Sequence, residues 1–137
     1  MRLLDSASIK LHEFIGRGIP KYVILSHTWG QEEVTFQDFQ DLEKAKKKRG
    51  FQKLEGCCRR AQSDGFKWVW IDTCCIDKSS SAELSEAINS MYQWYQESQI
   101  CYGRFLRKAF FPILNVFIFF PRTRSQSQVS IADAWEP

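Results

Sequence analysis

The chain has 137 residues, a length that supports one domain with one hydrophobic core. Its net charge of +3 comes entirely from residues 103–137, because residues 1–102 hold 14 basic and 14 acidic side chains. A neutral main body argues against nucleic acid as the principal partner. The longest apolar run, Phe110–Phe120, is too short to span a bilayer.

The first half of the chain predicts two strands joined by a helix. Ile9–Phe14 alternates apolar and polar residues, which is typical of a half-exposed strand. Tyr22–Leu25 is a continuous apolar run and predicts a strand covered on both faces. A helix is predicted over Phe51–Asp64, with Gly65 as its stop, and Trp68–Ile71 predicts the next strand. This order predicts a βαβ unit with parallel pairing.

The second half predicts a long helix and a third strand. Ser80 and Glu83 have the spacing of a capping box, in which each side chain accepts a hydrogen bond from the other residue's backbone amide. Gln99–Tyr102 resembles the start of a third strand. An apolar stripe on the helix between them is expected to face the core: Leu84, Ile88, Met91 and Tyr95.

Polar and ionisable side chains follow the two parallel strands where each strand ends. The carboxyl ends of parallel strands lie at one edge of a sheet, where ligands bind. His27, Asp72 and Glu86 are candidates for acid–base work at this edge. In the alternative, Asp72 caps a helix and His27 bonds the backbone beneath Trp29. The candidate pocket residues are Ser26, His27, Trp29, Gly30, Asp72, Cys75, Asp77, Glu86 and Asn89.

The five cysteines are best explained as small core residues. Their odd number and the lack of a secretory signal indicate reduced thiols in a cytoplasmic protein. A nucleophilic pair of Cys75 and His27 is disfavoured because nothing nearby in the sequence lowers the pKa of the thiol. Zinc ligation by Cys74, Cys75, Cys101 and His27 lacks the usual ligand spacing, so no metal is predicted.

Three segments, in this order, resemble the fungal heterokaryon incompatibility (HET) domain: Leu25–Gly30, Trp70–Lys78 and Glu83–Tyr92. The resemblance implies a non-self recognition module of filamentous fungi that signals growth arrest or programmed cell death. It implies protein partners, either self-association or other HET or TIR-like domains. Distant similarity between HET and TIR domains implies a flavodoxin-like α/β fold with a parallel sheet and flanking helices. It also implies an alternative function, an NAD-cleaving hydrolase; otherwise no cofactor is expected.

After Tyr102 the sequence departs from the family's pattern. Gly103–Lys108 and the Phe-rich run replace the expected continuation of the third strand. We therefore expect a partial HET domain over residues 1–102 and an irregular, divergent tail over 103–137, with a gene-model artefact as one explanation. The TIR region that supplies the catalytic glutamate would then be missing, which weakens the hydrolase alternative. An inactive truncated fragment is the remaining alternative.

Overall fold

A six-stranded sheet organises the residues that the computed structural model describes, 1–104 and 116–118. The spatial order is β2-β1-β4-β3-β5-β6. The inner strands β4, β3 and β5 pair in parallel, whereas β1, β2 and β6 pair antiparallel. The strands are β1 (Arg2–Asp5), β2 (Leu11–Glu13), β3 (Tyr22–His27), β4 (Trp68–Ile71), β5 (Cys101–Arg104) and β6 (Val116–Ile118).

The predicted βαβ unit is confirmed, but the expectation of a wholly parallel sheet is wrong. Both edges are antiparallel: β2 pairs with β1 and β1 with β4 on one side, and β6 pairs with β5 on the other. The expected irregular tail contributes residues 103–104 to β5 and all of β6. The rest of the tail, residues 105–115 and 119–137, lies outside the described residues.

Strand register separates the side chains onto two faces of the sheet. Paired residues of parallel neighbours point to the same face, and successive residues alternate. Ile24 pairs with Trp70, and the Trp70 ring lies 5.5 Å from that of Trp94. Leu25 pairs with Tyr102, whose hydroxyl donates to Asp64 Oδ2 at 2.7 Å. One face is therefore covered by the helix that contains Trp94, and the other by the helix that ends before Asp64.

Four α-helices accompany the sheet: α1 (Leu42–Lys46), α2 (Phe51–Ser63), α3 (Asp72–Cys75) and α4 (Ser81–Glu97). A 3-10 helix over Gln37–Gln40 precedes them. The predicted helix corresponds to α2, and Gly65 ends it at φ +83°, a left-handed conformation that favours glycine. Helix α3 was foreseen only in the alternative that Asp72 caps a helix, since its four residues are too few to show a periodicity. Asp72 is the first residue of α3 and not its cap. The buried residues of α2 are Phe51, Leu54, Cys57, Cys58 and Ala61.

Helix α4 confirms only half of the predicted capping box. The Ser80 hydroxyl accepts a hydrogen bond from the Glu83 amide at 3.4 Å. The Glu83 carboxylate does not return this bond to Ser80; it accepts from the Asp77 amide at 2.8 Å and from the Arg2 guanidinium. Glu83 therefore joins the start of α4 to the first strand.

The predicted core stripe of α4 is wrong at Ile88, whose side chain is 61% exposed. Ala87 is buried, and Leu84, Met91 and Tyr95 are half-buried. Each residue advances about 100° around a helix, so Ile88 points well away from the line of contact through Ala87. The core side of α4 is centred on Ala87.

Candidate functional site

The ends of β3 and β4 lie together at one edge of the sheet. Leu25 pairs with Ile71, so Ser26 and His27 end β3 beside Asp72, the first residue of α3. Ser26 and His27 are successive strand residues and point to opposite faces. Ser26 faces α4 and is hydrogen bonded to Tyr95. Burial raises the pKa of Tyr95 to about 12, and this hydrogen bond opposes the rise. His27 lies on the α2 face.

His27 is almost completely enclosed. Its side chain is 2% exposed, and neither ring nitrogen has a hydrogen-bond partner among the described residues. Burial lowers the pKa of His27, and the nearby Lys53 lowers it further, while the carboxylates of Asp72 and Glu33 oppose the shift. The adjoining cavity has a volume of about 10 Å³, far smaller than a substrate site. His27 is therefore held neutral and out of reach of an external molecule.

Glu33 and Lys53 form a charged pair beside His27 that the sequence did not predict. Their side chains are each 12% exposed and hydrogen bonded to each other, and Glu33 Oε2 lies 3.7 Å from His27 Nε2. Burial alone would raise the pKa of Glu33, but bonds from Lys53 and the Gly30 amide outweigh it and lower the pKa. Lys53 also donates to the Thr28 carbonyl at 3.1 Å. The pair thus ties the loop after β3 to the start of α2.

One feature of the sequence points to this pair in retrospect. Lys53 lies in the first turn of α2, where the helix dipole disfavours a cation. A carboxylate partner offsets this cost, but nothing in the sequence shows which residue supplies it.

Trp29 dominates the exposed part of this edge. Its side chain is 51% exposed, and its indole N–H donates to Asp72 Oδ2 at 2.9 Å. The Lys78 ammonium lies 3.6 Å from the centre of the indole ring, a cation–π contact. Burial lowers the pKa of Lys78, with Asp72 opposing the shift. Trp29 is thus held from two sides while part of its ring stays accessible.

Similarity to known proteins identifies the family of this chain. A family model described as heterokaryon incompatibility protein (HET) matches residues 22–109. The chain belongs to the HET family. That match begins at the first residue of β3 and includes every candidate residue at the sheet edge.

A curated relative agrees with this assignment. The vegetative incompatibility protein HET-E-1 of Podospora anserina is 49% identical over 108 residues, which cover 74% of this chain. The chain spans 8% of the length of that relative. No solved structure gives a significant match.

Asp77, in the second HET motif, has a structural environment. It accepts hydrogen bonds from the Ser79 amide at 3.0 Å and from Gln37 Nε2 at 2.6 Å. The bond from the Ser79 hydroxyl is the largest cause that lowers the pKa of Asp77. Asp77 therefore shapes the turn that leads into α4 and links it to the 3-10 helix.

Glu86 and Asn89, in the third HET motif, lie exposed on α4. Neither side chain makes a hydrogen bond or an ion pair with another residue in the described part of the chain. The structure therefore does not join Glu86 to His27 and Asp72 in one contact network. Whether Glu86 has a catalytic role stays a prediction.

The cysteines of the HET motifs are buried in the core, as are the others, and all five are free. Cys75 Sγ accepts a weak hydrogen bond from the Ile71 amide at 3.4 Å. Burial raises the pKa of Cys58 to about 12 and that of Cys101 to about 11, so both stay protonated thiols. Among residues 1–104 and 116–118, no group of three or more histidine, cysteine or acidic side chains has the arrangement of a metal site.

Proposed function

We propose that this chain is the signalling domain of a vegetative incompatibility protein, and that it triggers growth arrest or cell death through protein–protein assembly. The family match and the 49% identity to HET-E-1 support this role. The proposed assembly involves a second copy or another HET or TIR-like domain and needs no cofactor. We place it in the cytoplasm, and the five buried free cysteines support a reducing compartment.

The observation that favours assembly is which side chains at the sheet edge are accessible to solvent. The carboxylates next to His27 and Trp29 are engaged internally: Glu33 with Lys53, and Asp72 with Trp29. His27 is enclosed. The large accessible group is the indole of Trp29, and tryptophan is among the residue types enriched at the energetic centres of protein interfaces. The edge thus fits recognition of a protein surface better than chemistry on a small molecule.

The strand order supports a flavodoxin-like arrangement of the core. Across the sheet the three parallel strands lie in the order β4, β3, β5. Numbered by their order in the chain, this is 2-1-3. Flavodoxin-like sheets begin with this order, and their ligands bind where the order reverses. In this chain that point lies between β3 and β5. A fold likeness does not bring an activity with it, so the NAD-cleaving alternative needs its own evidence.

No residue arrangement in the described chain favours the hydrolase. No described helix is long and apolar enough to cross a bilayer. Incubation of the purified chain with NAD tests the hydrolase directly. Nicotinamide release that exceeds release by a Glu86→Ala variant would replace the assembly proposal with the enzymatic one.

Expression in a filamentous fungus from an inducible promoter tests the assembly role. We expect induction to arrest growth and to admit a membrane-impermeant dye, and we expect Trp29→Ala to abolish both effects at equal protein level. Tyr92→Ala is the matched control, since Tyr92 is a 60% exposed aromatic on α4. Normal growth with the unaltered chain would contradict the proposed function. Equal loss in both variants would contradict the assignment of the surface to Trp29.

A further inference from the structure

A groove of about 440 Å³ runs beside β2, the edge strand of the sheet. This volume lies within the usual range for binding sites. One side of the groove is firm, because the Arg2 guanidinium lies 4.3 Å from the Phe36 ring centre and is bonded to Glu83 of α4. The apolar residues that line the groove are Ile9, Leu11, Phe36, Phe39 and Leu42.

The hydrogen bonds of β2 show which backbone groups face away from β1. Met1 and Phe14 exchange two hydrogen bonds, at 3.0 and 2.8 Å, and the Asp5 amide donates to the Lys10 carbonyl at 2.9 Å. In an antiparallel pair, alternate residues direct their peptide groups to the partner strand. The residues between these positions, Leu11 and Glu13, therefore direct their N–H and C=O groups toward the outer edge.

The chemistry of the side chains around this edge defines a partner. Leu11 shares a face with Leu4, with which it pairs, and lines the apolar groove. Lys10 also borders the groove, and strand alternation directs its side chain to the face opposite that of Leu11. It is exposed and has no ion-pair partner within residues 1–104. A strand added next to β2 would place every second side chain in the groove and the intervening ones near Lys10.

We propose that β2 binds an extended peptide segment of another protein by strand addition. The peptide would donate to and accept from the backbone of Leu11 and Glu13. Its alternate residues would be apolar and occupy the groove, and the intervening residues would be acidic and face Lys10. Exposed edge strands are templates for this kind of pairing. The inference does not rest on the proposed function, because it uses neither Trp29 nor the edge at which β3 and β4 end.

A labelled octapeptide of alternating leucine and glutamate is the probe, titrated into the 137-residue chain by fluorescence anisotropy. We expect saturable binding, with slower amide hydrogen exchange at Leu11 and Glu13. A peptide with four leucines followed by four glutamates has the same composition and is expected to bind at least about fivefold more weakly. Equal binding of the two peptides would overturn the proposal, as would no slowing of exchange at Leu11 and Glu13 at saturation.

Substitutions at β2 distinguish binding through backbone hydrogen bonds from non-specific binding of the peptide. Glu13→Pro removes an outward N–H, which an edge strand tolerates, and Glu13→Ala keeps it. We expect the proline variant to bind about fivefold more weakly than the alanine variant. Lys10→Glu should weaken binding of the glutamate peptide but not of a glutamine analogue. Equal affinity of the two Glu13 variants, with unchanged circular dichroism, would overturn the proposal. Strong protection of the Leu11 and Glu13 amides from exchange in the absence of peptide would also overturn it.

Discussion

Helices α2 and α4 each connect two parallel strands of the sheet, yet they are buried to very different degrees. Helix α2 has 13 residues and buries five of them against the sheet. Helix α4 has 17 residues, and within the described part of the chain it buries only Ala87. Length and amphipathic pattern therefore do not determine how much of a helix is covered.

The two helices are also held by different kinds of contact. Helix α2 packs through a continuous apolar face, and the Glu33–Lys53 pair fixes its first turn. Helix α4 depends on its ends and on a few rings: Trp94 and Tyr95 pack edge-on against Trp70, and the Tyr22 hydroxyl donates to the Trp94 carbonyl at 2.6 Å. Both faces of the sheet are covered, since Ile24 and Trp70 on the α4 face are 0% and 1% exposed, but α4 itself is buried less than α2.

Matched truncations of leucine give the largest expected difference between the two faces. Leu54 of α2 is 3% exposed, so Leu54→Ala should lower the free energy of unfolding by about 3 kcal/mol. Leu84 of α4 is half-buried, and Leu84→Ala should cost about 1 kcal/mol. Urea denaturation followed by circular dichroism measures both. Equal losses would show that α4 is packed as tightly as α2.

A pH titration sharpens the comparison on the α2 face. The pKa of His27 is lowered from the ordinary 6.5 by burial, so the unfolded chain takes up a proton more readily than the folded one. The stability that neutral His27 provides is fully present above pH 6.5 and is lost as the pH falls below that value. We expect the free energy of unfolding to decrease between pH 6.5 and 5, and His27→Gln to flatten this decrease.

The exposed His12 supplies the control for this titration. We expect His12→Gln to keep the decrease, because His27 remains. If the decrease in the free energy of unfolding disappears in the His12 variant and remains in the His27 variant, the buried imidazole is not the group responsible.

The smallest expected effect lies on the outer side of α4. Ile88→Ser should change the free energy of unfolding by less than about 0.5 kcal/mol, because 61% of the side chain is exposed. The neighbouring Ala87→Ser introduces a hydroxyl at a buried position and should cost about 1 kcal/mol. Thermal unfolding of the two variants measures the difference. A larger loss at Ile88 than at Ala87 would place the core side of α4 at Ile88.

Local patterns predicted the elements well where one segment was sufficient. The apolar spacing and glycine stop of α2, the β3–β4 pairing and the serine cap of α4 all follow from short stretches of sequence. The exposure of Ile88 does not, because it depends on what covers the helix and not on the helix's own periodicity. The antiparallel edges were also missed, since an apolar run does not show in which direction its strand will pair.

The candidate site shows the same division. The sequence placed His27 and Asp72 at one edge of the sheet, and strand register agrees. It did not show that His27 is enclosed or that Glu33 and Lys53 lie beside it. These contacts join segments some twenty residues apart through side-chain packing, which no local spacing records.

The central position of β3 has a consequence for how the chain folds. Its partners come late: Ile71 follows Leu25 by 46 residues and Tyr102 follows it by 77. Closing the longer loop costs only about 0.5 kcal/mol more than closing the shorter one, so thermodynamics barely distinguishes the two pairings. Synthesis order does, because at roughly 5–20 residues per second the buried strand leaves the ribosome seconds before either partner. In that interval the apolar segment Tyr22–Leu25 is exposed, and chaperones can bind it before β4 and β5 pair with it.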